Sequence, residues 1–159
     1  MEVISKIIQW HHDRNLIEGA TDEGQFKKLM SEFGEYSDNL AKGRCTKDDI
    51  GDMGVVLLNI AERNGCVDSM LVNSLTVHNA EYRTINNALH DLCCSVFDEC
   101  LAFYNESITE SLIECWETLS SIAHESTFTL KECLEVAYND IKDRKGKMIN
   151  GTFVKESDL

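Results

Sequence analysis

The chain has 159 residues and contains no proline, and its nine glycines are scattered rather than clustered. Proline is the residue that most often marks loops and edge strands. Its absence favours helices joined by short turns. Apolar residues at helical spacing support this, as in the stripe Phe26, Leu29, Phe33, Tyr36 and Leu40. We therefore predict an all-α fold in a single domain spanning 1–159.

The same periodicity predicts where the helices begin and end. Thr21 or Asp22 is the expected N-cap of the helix with this stripe, and Gly43 ends it. Thr46 is expected to cap the next helix, which closes near Asn64-Gly65. Gly146 is expected just after the last helix, before a non-helical tail with an Asn-Gly turn signal. The remaining helices are predicted at 2–12, 67–81, 84–104, 107–125 and 129–145.

Charge and cysteine content exclude several classes of protein. The 28 acidic residues outnumber the 15 lysines and arginines, and the net charge is −13. Such a chain repels nucleic acid polymers and anionic membranes, so we expect neither as a partner. The seven cysteines form no C-x-x-C pair and fall mostly at apolar helical positions. Together with an N-terminus too polar for a signal peptide, this predicts a cytoplasmic protein with reduced core thiols.

Four carboxylates form two matched pairs, Glu32 with Glu35 and Asp49 with Asp52. Each pair is spaced i, i+3, which places both members on one side of a helix. The thirteen residues 36–48 between the pairs allow one helix to end and an antiparallel partner to begin. Four acids facing one another across such a hairpin repel strongly unless a cation lies between them.

Two interpretations of these pairs are open. In an acidic protein they can be a solvated helix face, with Lys28 paired to Glu32 at i, i+4. Alternatively they bind a metal, because both pairs adjoin the apolar stripes of consecutive helices. Oxygen ligands without histidine suit Mg²⁺ or Mn²⁺. A di-iron bundle would need Glu-x-x-His, which the sequence does not contain.

Basic residues cluster near the C-terminus, in the segment IKDRKGKM. They either stabilise a helix C-terminus or neutralise the phosphates of a ligand. The cluster consists of Lys142, Arg144, Lys145 and Lys147.

A second polar group surrounds Trp10 and includes Arg14, Asn15 and Gln25. These side chains could stack on a base and hydrogen-bond to it, although Trp10 is equally explained by packing. Phosphate-binding loops, serine-nucleophile motifs and dinucleotide-binding glycine motifs are absent from the sequence.

The chain is divided into a metal-binding half, 1–66, and a second helical half, 67–159. A faint internal repeat at an offset of 62 residues aligns 57–82 with 119–144 and, extended backwards, places the helix of Glu32 and Glu35 near 86–103. In this alignment Cys94 and Phe97 stand in place of the two glutamates. Either a helical unit is duplicated, with one metal-binding half and one scaffold half, or amphipathic helices simply align by their period.

Together these residues resemble a known family. The pattern from Glu32-x-x-Glu35 to Asp49-x-x-Asp52 is similar to the E-x-x-E…E-x-x-D signature of all-α nucleoside triphosphate pyrophosphohydrolases. These include the MazG-like proteins and the dimeric dUTPases. The segments DRNLIEGAT and ECLEVAYNDIKDRKGKMINGTFVKE resemble the phage-encoded MazG-like branch. The resemblance covers 10–65 and 128–156. One departure is Asp49, which stands where the family usually has Glu.

The resemblance implies a MazG-like helical bundle that binds Mg²⁺, or Mn²⁺, through the four carboxylates. It implies the reaction NTP + H₂O → NMP + PPi in nucleotide-pool housekeeping, with Glu35 and Glu32 as catalytic carboxylates, of which Glu35 would help to orient the attacking water. It also implies a homodimer or homotetramer, in the host cytoplasm if the protein is phage-encoded. We assign substrate contacts to Trp10, Asn15, Gln25, Lys28, Lys142, Arg144 and Lys145.

Two alternatives remain open at this point. One is a narrow-specificity enzyme of the same superfamily, acting on dUTP, a damaged nucleotide or an alarmone. The other is a catalytically silent helical module that binds a protein partner through its acidic face.

Overall fold

The computed structural model describes residues 2–73, 85–97, 107–149 and 152–156, which form seven α-helices and one β-hairpin. The predicted all-α fold is confirmed, because the hairpin is the sole sheet within these ranges. In chain order the elements are α1 (Glu2–Asp13), α2 (Asp22–Ala41), α3 (Lys47–Arg63), α4 (Val67–Asn73), α5 (Ile85–Phe97), α6 (Ile108–Glu125), α7 (Leu130–Ile141), β1 (Gly146–Ile149) and β2 (Thr152–Lys155).

Most of the predicted helix ends are confirmed by their capping geometry. The Thr21 side chain caps α2 by accepting a hydrogen bond from the backbone N–H of Gly24 at 3.0 Å. Gly43 and Gly65 follow α2 and α3 with φ of +64°, a left-handed conformation that glycine adopts without strain. Thr46 holds the N-cap position of α3, although its side chain makes no capping hydrogen bond to the described residues.

The predicted end of the last helix is wrong. Helix α7 ends at Ile141, and Gly146 begins β1 instead of following the helix. The cause is a contact distant in sequence. The Arg14 guanidinium donates hydrogen bonds to the carbonyl oxygens of Lys142 at 2.8 Å and Arg144 at 3.3 Å. These carbonyls are therefore satisfied without another helical turn.

The non-helical tail is confirmed, and it forms a hairpin. Strands β1 and β2 pair antiparallel, with Met148 opposite Phe153. The predicted Asn-Gly turn lies outside the described residues, as do the parts of two predicted helices at 74–81 and 98–104.

Helix α3 lies at the centre of the molecule. Twelve of its 17 residues are buried, and it contacts α1, α2, α4, α6 and α7. Two glycines allow α7 to approach closely. A Cβ at Gly51 would collide with the backbone of Cys133, and one at Gly54 would lie 2.8 Å from the Leu134 side chain. Burial also raises the pKa of the Cys133 thiol to about 11, as expected of an inert core thiol.

The two predicted halves share one hydrophobic core. Helix α7 packs on α1 and α3, and β2 contacts α2, so the later part of the chain closes over the earlier part. The internal duplication stays a prediction. The side chains of Cys94 and Phe97, which it aligns with the two glutamates, lie outside those described.

Candidate functional site

A cavity of about 360 Å³ opens between α1, α2, α3, the end of α7, Arg144 and β2. Seven of the fourteen residues that line it are polar, and they come from α1, α2, α3 and Arg144. The apolar residues are Trp10, Leu16, Val55, Val56, Ile141, Phe153 and Val154. The polar residues are His11, Gln25, Lys28, Glu32, Asp52, Asn59 and Arg144.

One member of each predicted carboxylate pair lines this cavity. Glu32 projects from α2 and is 5% exposed, and Asp52 projects from α3. The other members do not line it. Glu35 is exposed on α2, while Asp49 is buried and accepts hydrogen bonds from the Asn39 amide at 3.0 Å on both oxygens. The structure therefore brings Glu32 and Asp52 together and leaves the other two carboxylates outside the cavity.

The surroundings of Asp52 oppose its ionised form. Burial is the main cause, the carboxylates of Glu32 and Asp48 add to it, and the pKa of Asp52 rises to about 7. Arg144 and Lys28 act in the opposite direction but do not cancel this rise. A cation placed beside Asp52 would favour its charged form, so this part of the cavity suits a metal or another positive group.

The predicted substrate residues divide between the cavity and the surface. Trp10, Gln25, Lys28 and Arg144 line the cavity. Within the described residues, the remaining three have exposed positions outside it. Asn15 adopts φ of 56° in the turn after α1, and Lys142 donates to the Asn139 side chain at 3.0 Å. These three are Asn15, Lys142 and Lys145.

The two cations of the cavity already have acidic neighbours. Lys28 forms an ion pair with Glu32 one helical turn away, as the surface interpretation of the sequence anticipated. Arg144, which lies just beyond the end of α7, forms an ion pair with Asp140 in the last turn of that helix. Arg144 and Asp140 are both partly exposed, so Arg144 can exchange this partner for an anionic ligand at little cost. Glu32 is buried, so Lys28 can leave it at little cost only where another cation takes its place.

Trp10 and Arg14, at the end of α1 and just after it, contact residues near the C-terminus beside the cavity. The Trp10 indole N–H donates to the carbonyl of Ile141 at 3.0 Å, and the Arg14 guanidinium lies 4.7 Å from the Trp10 ring centroid. Phe153 of the hairpin packs edge-on against the same ring. Packing thus accounts for most of the Trp10 surface, and Arg14 positions the segment that carries Arg144.

Sequence reasoning missed two cavity residues, His11 and Asn59. By helical periodicity His11 falls on the apolar face of α1 and Asn59 beside the apolar stripe of α3, so neither position stands out as a binding residue. Asn59 interrupts the apolar run VVLLNIA in a helix that is almost wholly buried. A polar residue in such a run is the sequence signal that could have identified it.

Within the described part of the chain, no three histidine, cysteine or acidic side chains come together as a metal site. The cavity offers two carboxylates, those of Glu32 and Asp52. This donor set fits Mg²⁺, which commonly takes one or two protein carboxylates and completes its shell with water and substrate phosphates.

The chain is similar to a protein of Haemophilus phage HP1 described as "Uncharacterized 18.2 kDa protein in rep-hol intergenic region". The two are 46% identical over 72 residues, and this segment covers 44% of each chain, so the similarity spans less than half of the phage protein. No protein-family model and no solved structure matches the chain. None of the described helices is long and apolar enough to cross a membrane.

Proposed function

We propose that the protein is a Mg²⁺-dependent nucleoside triphosphate pyrophosphohydrolase, and that the cavity binds its substrate. The observation that carries the proposal is the placement of Glu32 and Asp52, from two different helices, in one cavity with Lys28 and Arg144. A metal triphosphate needs carboxylates for the metal and cations for the remaining phosphate charge. The resemblance of the sequence to the MazG-like enzymes agrees with this distribution of charge.

In the proposed reaction, water attacks the α-phosphorus and pyrophosphate leaves. Glu32 and Asp52 would hold the metal, which withdraws charge from the phosphate oxygens. Their carboxylates can also accept a hydrogen bond from the attacking water. Lys28 and Arg144 neutralise the charge that develops on the leaving group. Cysteine thiols are not needed as nucleophiles in this scheme.

The biological setting of the proposal follows the resemblance. The enzyme would act in nucleotide-pool housekeeping, in the host cytoplasm, as a homodimer or homotetramer. The similarity to a Haemophilus phage protein supports a phage origin. A narrow substrate, such as dUTP, remains compatible with the same chemistry.

A nucleotide panel with Mg²⁺ tests the proposal directly. We expect nucleoside monophosphate and pyrophosphate in equal amounts from at least one canonical or modified triphosphate. Orthophosphate as the first product would identify a different phosphohydrolase. No turnover of any nucleotide would favour a protein-interaction module.

Four single variants then define the metal-binding residues. Glu32→Gln and Asp52→Asn should lower kcat by at least about a hundredfold, because each removes a cavity carboxylate. Glu35→Gln and Asp49→Asn are matched changes one turn away. If they retain activity, two carboxylates suffice. If they lose it as well, all four acids of the family signature take part in catalysis.

A further inference from the structure

Two side chains that line the cavity each carry a buried polar atom without a hydrogen-bond partner among the described residues, Nδ1 of His11 and Oδ1 of Asn59. The two residues are 2% and 1% exposed, respectively, and both line the cavity. A buried polar atom without a partner costs about 1–3 kcal/mol, and native proteins contain few of them. Two in one cavity are explained if a ligand supplies the missing partners.

Asn59 defines what the ligand must offer. Its Nδ2 donates to the carbonyl of Leu16 at 3.1 Å, which fixes the amide and leaves Oδ1 as the unpaired atom. A carbonyl oxygen can only accept a hydrogen bond. The ligand must therefore present an N–H or O–H group at this position.

His11 indicates that the ligand group bound at this position is uncharged. Burial lowers the pKa of His11 to about 3, so the ring is neutral at physiological pH. A neutral imidazole donates from one nitrogen and accepts at the other. An amide and a neutral ring suit an uncharged polar edge, whereas Lys28 and Arg144 suit phosphates.

We propose that His11 and Asn59 recognise the hydrogen-bonding edge of the nucleobase and so determine which nucleotides bind. This inference rests on the proposed function and assigns base recognition within it. The common bases each carry N–H donors and acceptors on their Watson–Crick edge, and because the order of these groups differs from base to base, a fixed amide and imidazole can distinguish among them. Trp10 and Leu16 line the same cavity, and the small part of each that is not covered by packing is apolar surface that a base can contact.

Binding without metal tests the inference in the full-length protein. The four ribonucleoside monophosphates are titrated calorimetrically, which needs neither turnover nor Mg²⁺. We expect one base to bind at least tenfold more tightly than the weakest. Equal affinity for all four, or no binding of any, would overturn the proposal.

Methylated bases provide a probe that requires no protein variant. For a uridine preference, the comparison is 3-methyluridine monophosphate, whose donor is blocked, with 5-methyluridine monophosphate, whose donor is intact. For an adenosine preference, it is N6,N6-dimethyladenosine monophosphate with 2-methyladenosine monophosphate. Blocking the donor should weaken binding at least tenfold more than the control methyl group does. Equal tolerance of both would contradict the assigned role of Asn59.

His11→Phe separates recognition from structural support. The variant keeps a ring of similar size and removes the unpaired nitrogen, so Tm should stay equal or rise while base discrimination falls at least tenfold. His12→Phe is the matched control, because His12 is exposed on the same helix and pairs with Glu62 at 2.9 Å. It should leave binding unchanged. A His11→Phe variant with wild-type base discrimination would overturn the inference.

Turnover measured in parallel distinguishes the two proposals. If pyrophosphate is released but His11→Phe and Asn59→Leu keep the wild-type base preference, the inference fails and the enzymatic function stands. If binding is base-selective and depends on both residues, yet no triphosphate is hydrolysed, the inference stands and the enzymatic function fails.

Discussion

At the scale of single residues, Asp52 combines a suggested role in function with a cost in stability. Because its pKa rises to about 7 from the ordinary 3.8, the folded state favours the protonated form. Stability is therefore lost as pH rises from 3.8 to about 7. Without metal near pH 8, Asp52→Asn should raise the free energy of unfolding by roughly 1–3 kcal/mol, measured by urea denaturation with EDTA. The same variant should lose turnover with Mg²⁺.

Asp48→Asn is the control for this prediction. Asp48 is exposed on the same helix, so its change in stability should stay within about 0.5 kcal/mol. A fall in stability for Asp52→Asn would mean that the carboxylate is held by favourable contacts, and the argument from burial would be wrong.

His11 should make the fold sensitive to acid. Its pKa is lowered from 6.5 to about 3, so only the unfolded chain takes up a proton between these values. The contribution of neutral His11 to the free energy of unfolding is complete above pH 6.5. It declines below that pH by about 1.4 kcal/mol per pH unit. Urea denaturation at pH 7 and near pH 5 should show this decline.

The comparison with His11→Phe isolates this effect, because the carboxylates titrate in both proteins. The variant should lose about 2 kcal/mol less stability than the wild type over this pH interval. Identical losses would show that His11 accepts its proton in the folded state.

The i, i+3 spacing of the carboxylates predicted Glu32 and Asp52 as candidate site residues, but it could not distinguish them from Glu35 and Asp49. An i, i+3 pair places Glu32 and Glu35 on adjoining parts of one helix face, and only tertiary packing decides which one faces the cavity. His11 could not be identified as a cavity residue for a related reason. A buried histidine and a core residue occupy the same periodic position, and the absence of a hydrogen-bond partner is visible only in three dimensions.

At the scale of secondary structure elements, glycine determines how closely α3 and α7 pack. Gly51→Ala should destabilise the protein by at least about 1–3 kcal/mol, because its Cβ would collide with the backbone of Cys133. Gly34→Ala makes the same change in α2, where, among the described residues, no atom outside the backbone of α2 lies within 4 Å of the added Cβ. It should stabilise the protein by about 0.5–1 kcal/mol. Thermal denaturation of the two variants should therefore show shifts of opposite sign.

Helix boundaries were predictable where local capping residues set them, as at Thr21 and Gly43. The end of α7 was not predictable in this way. It depends on Arg14, which binds the carbonyl of a residue 128 positions away. Local sequence patterns do not report a contact between residues so far apart in the chain. The basic segment after Ile141, which continues the helical pattern, was therefore assigned to the helix.

At the scale of the whole molecule, ligand binding should stabilise the fold. Millimolar Mg²⁺ with a non-hydrolysable triphosphate should raise Tm, because these ligands bind only the folded state. At a hundredfold excess over Kd the gain is about 2.7 kcal/mol. Glu32→Gln should abolish the part of the shift that depends on metal. An unchanged wild-type Tm would contradict a triphosphate site in this cavity.

The hairpin that packs on Trp10 also affects when the cavity forms during synthesis. A ribosome makes Glu32 and Asp52 early, whereas Arg144 is added 92 residues and Phe153 101 residues after Asp52. A nascent chain that stops before residue 140 has the acids without Arg144 and lacks one wall. Among truncated chains released from the ribosome, triphosphate should thus protect from protease only those that extend beyond residue 154, so protection should appear in a single step as the chain is lengthened. Gradual protection of shorter chains would show that the earlier helices bind nucleotide by themselves.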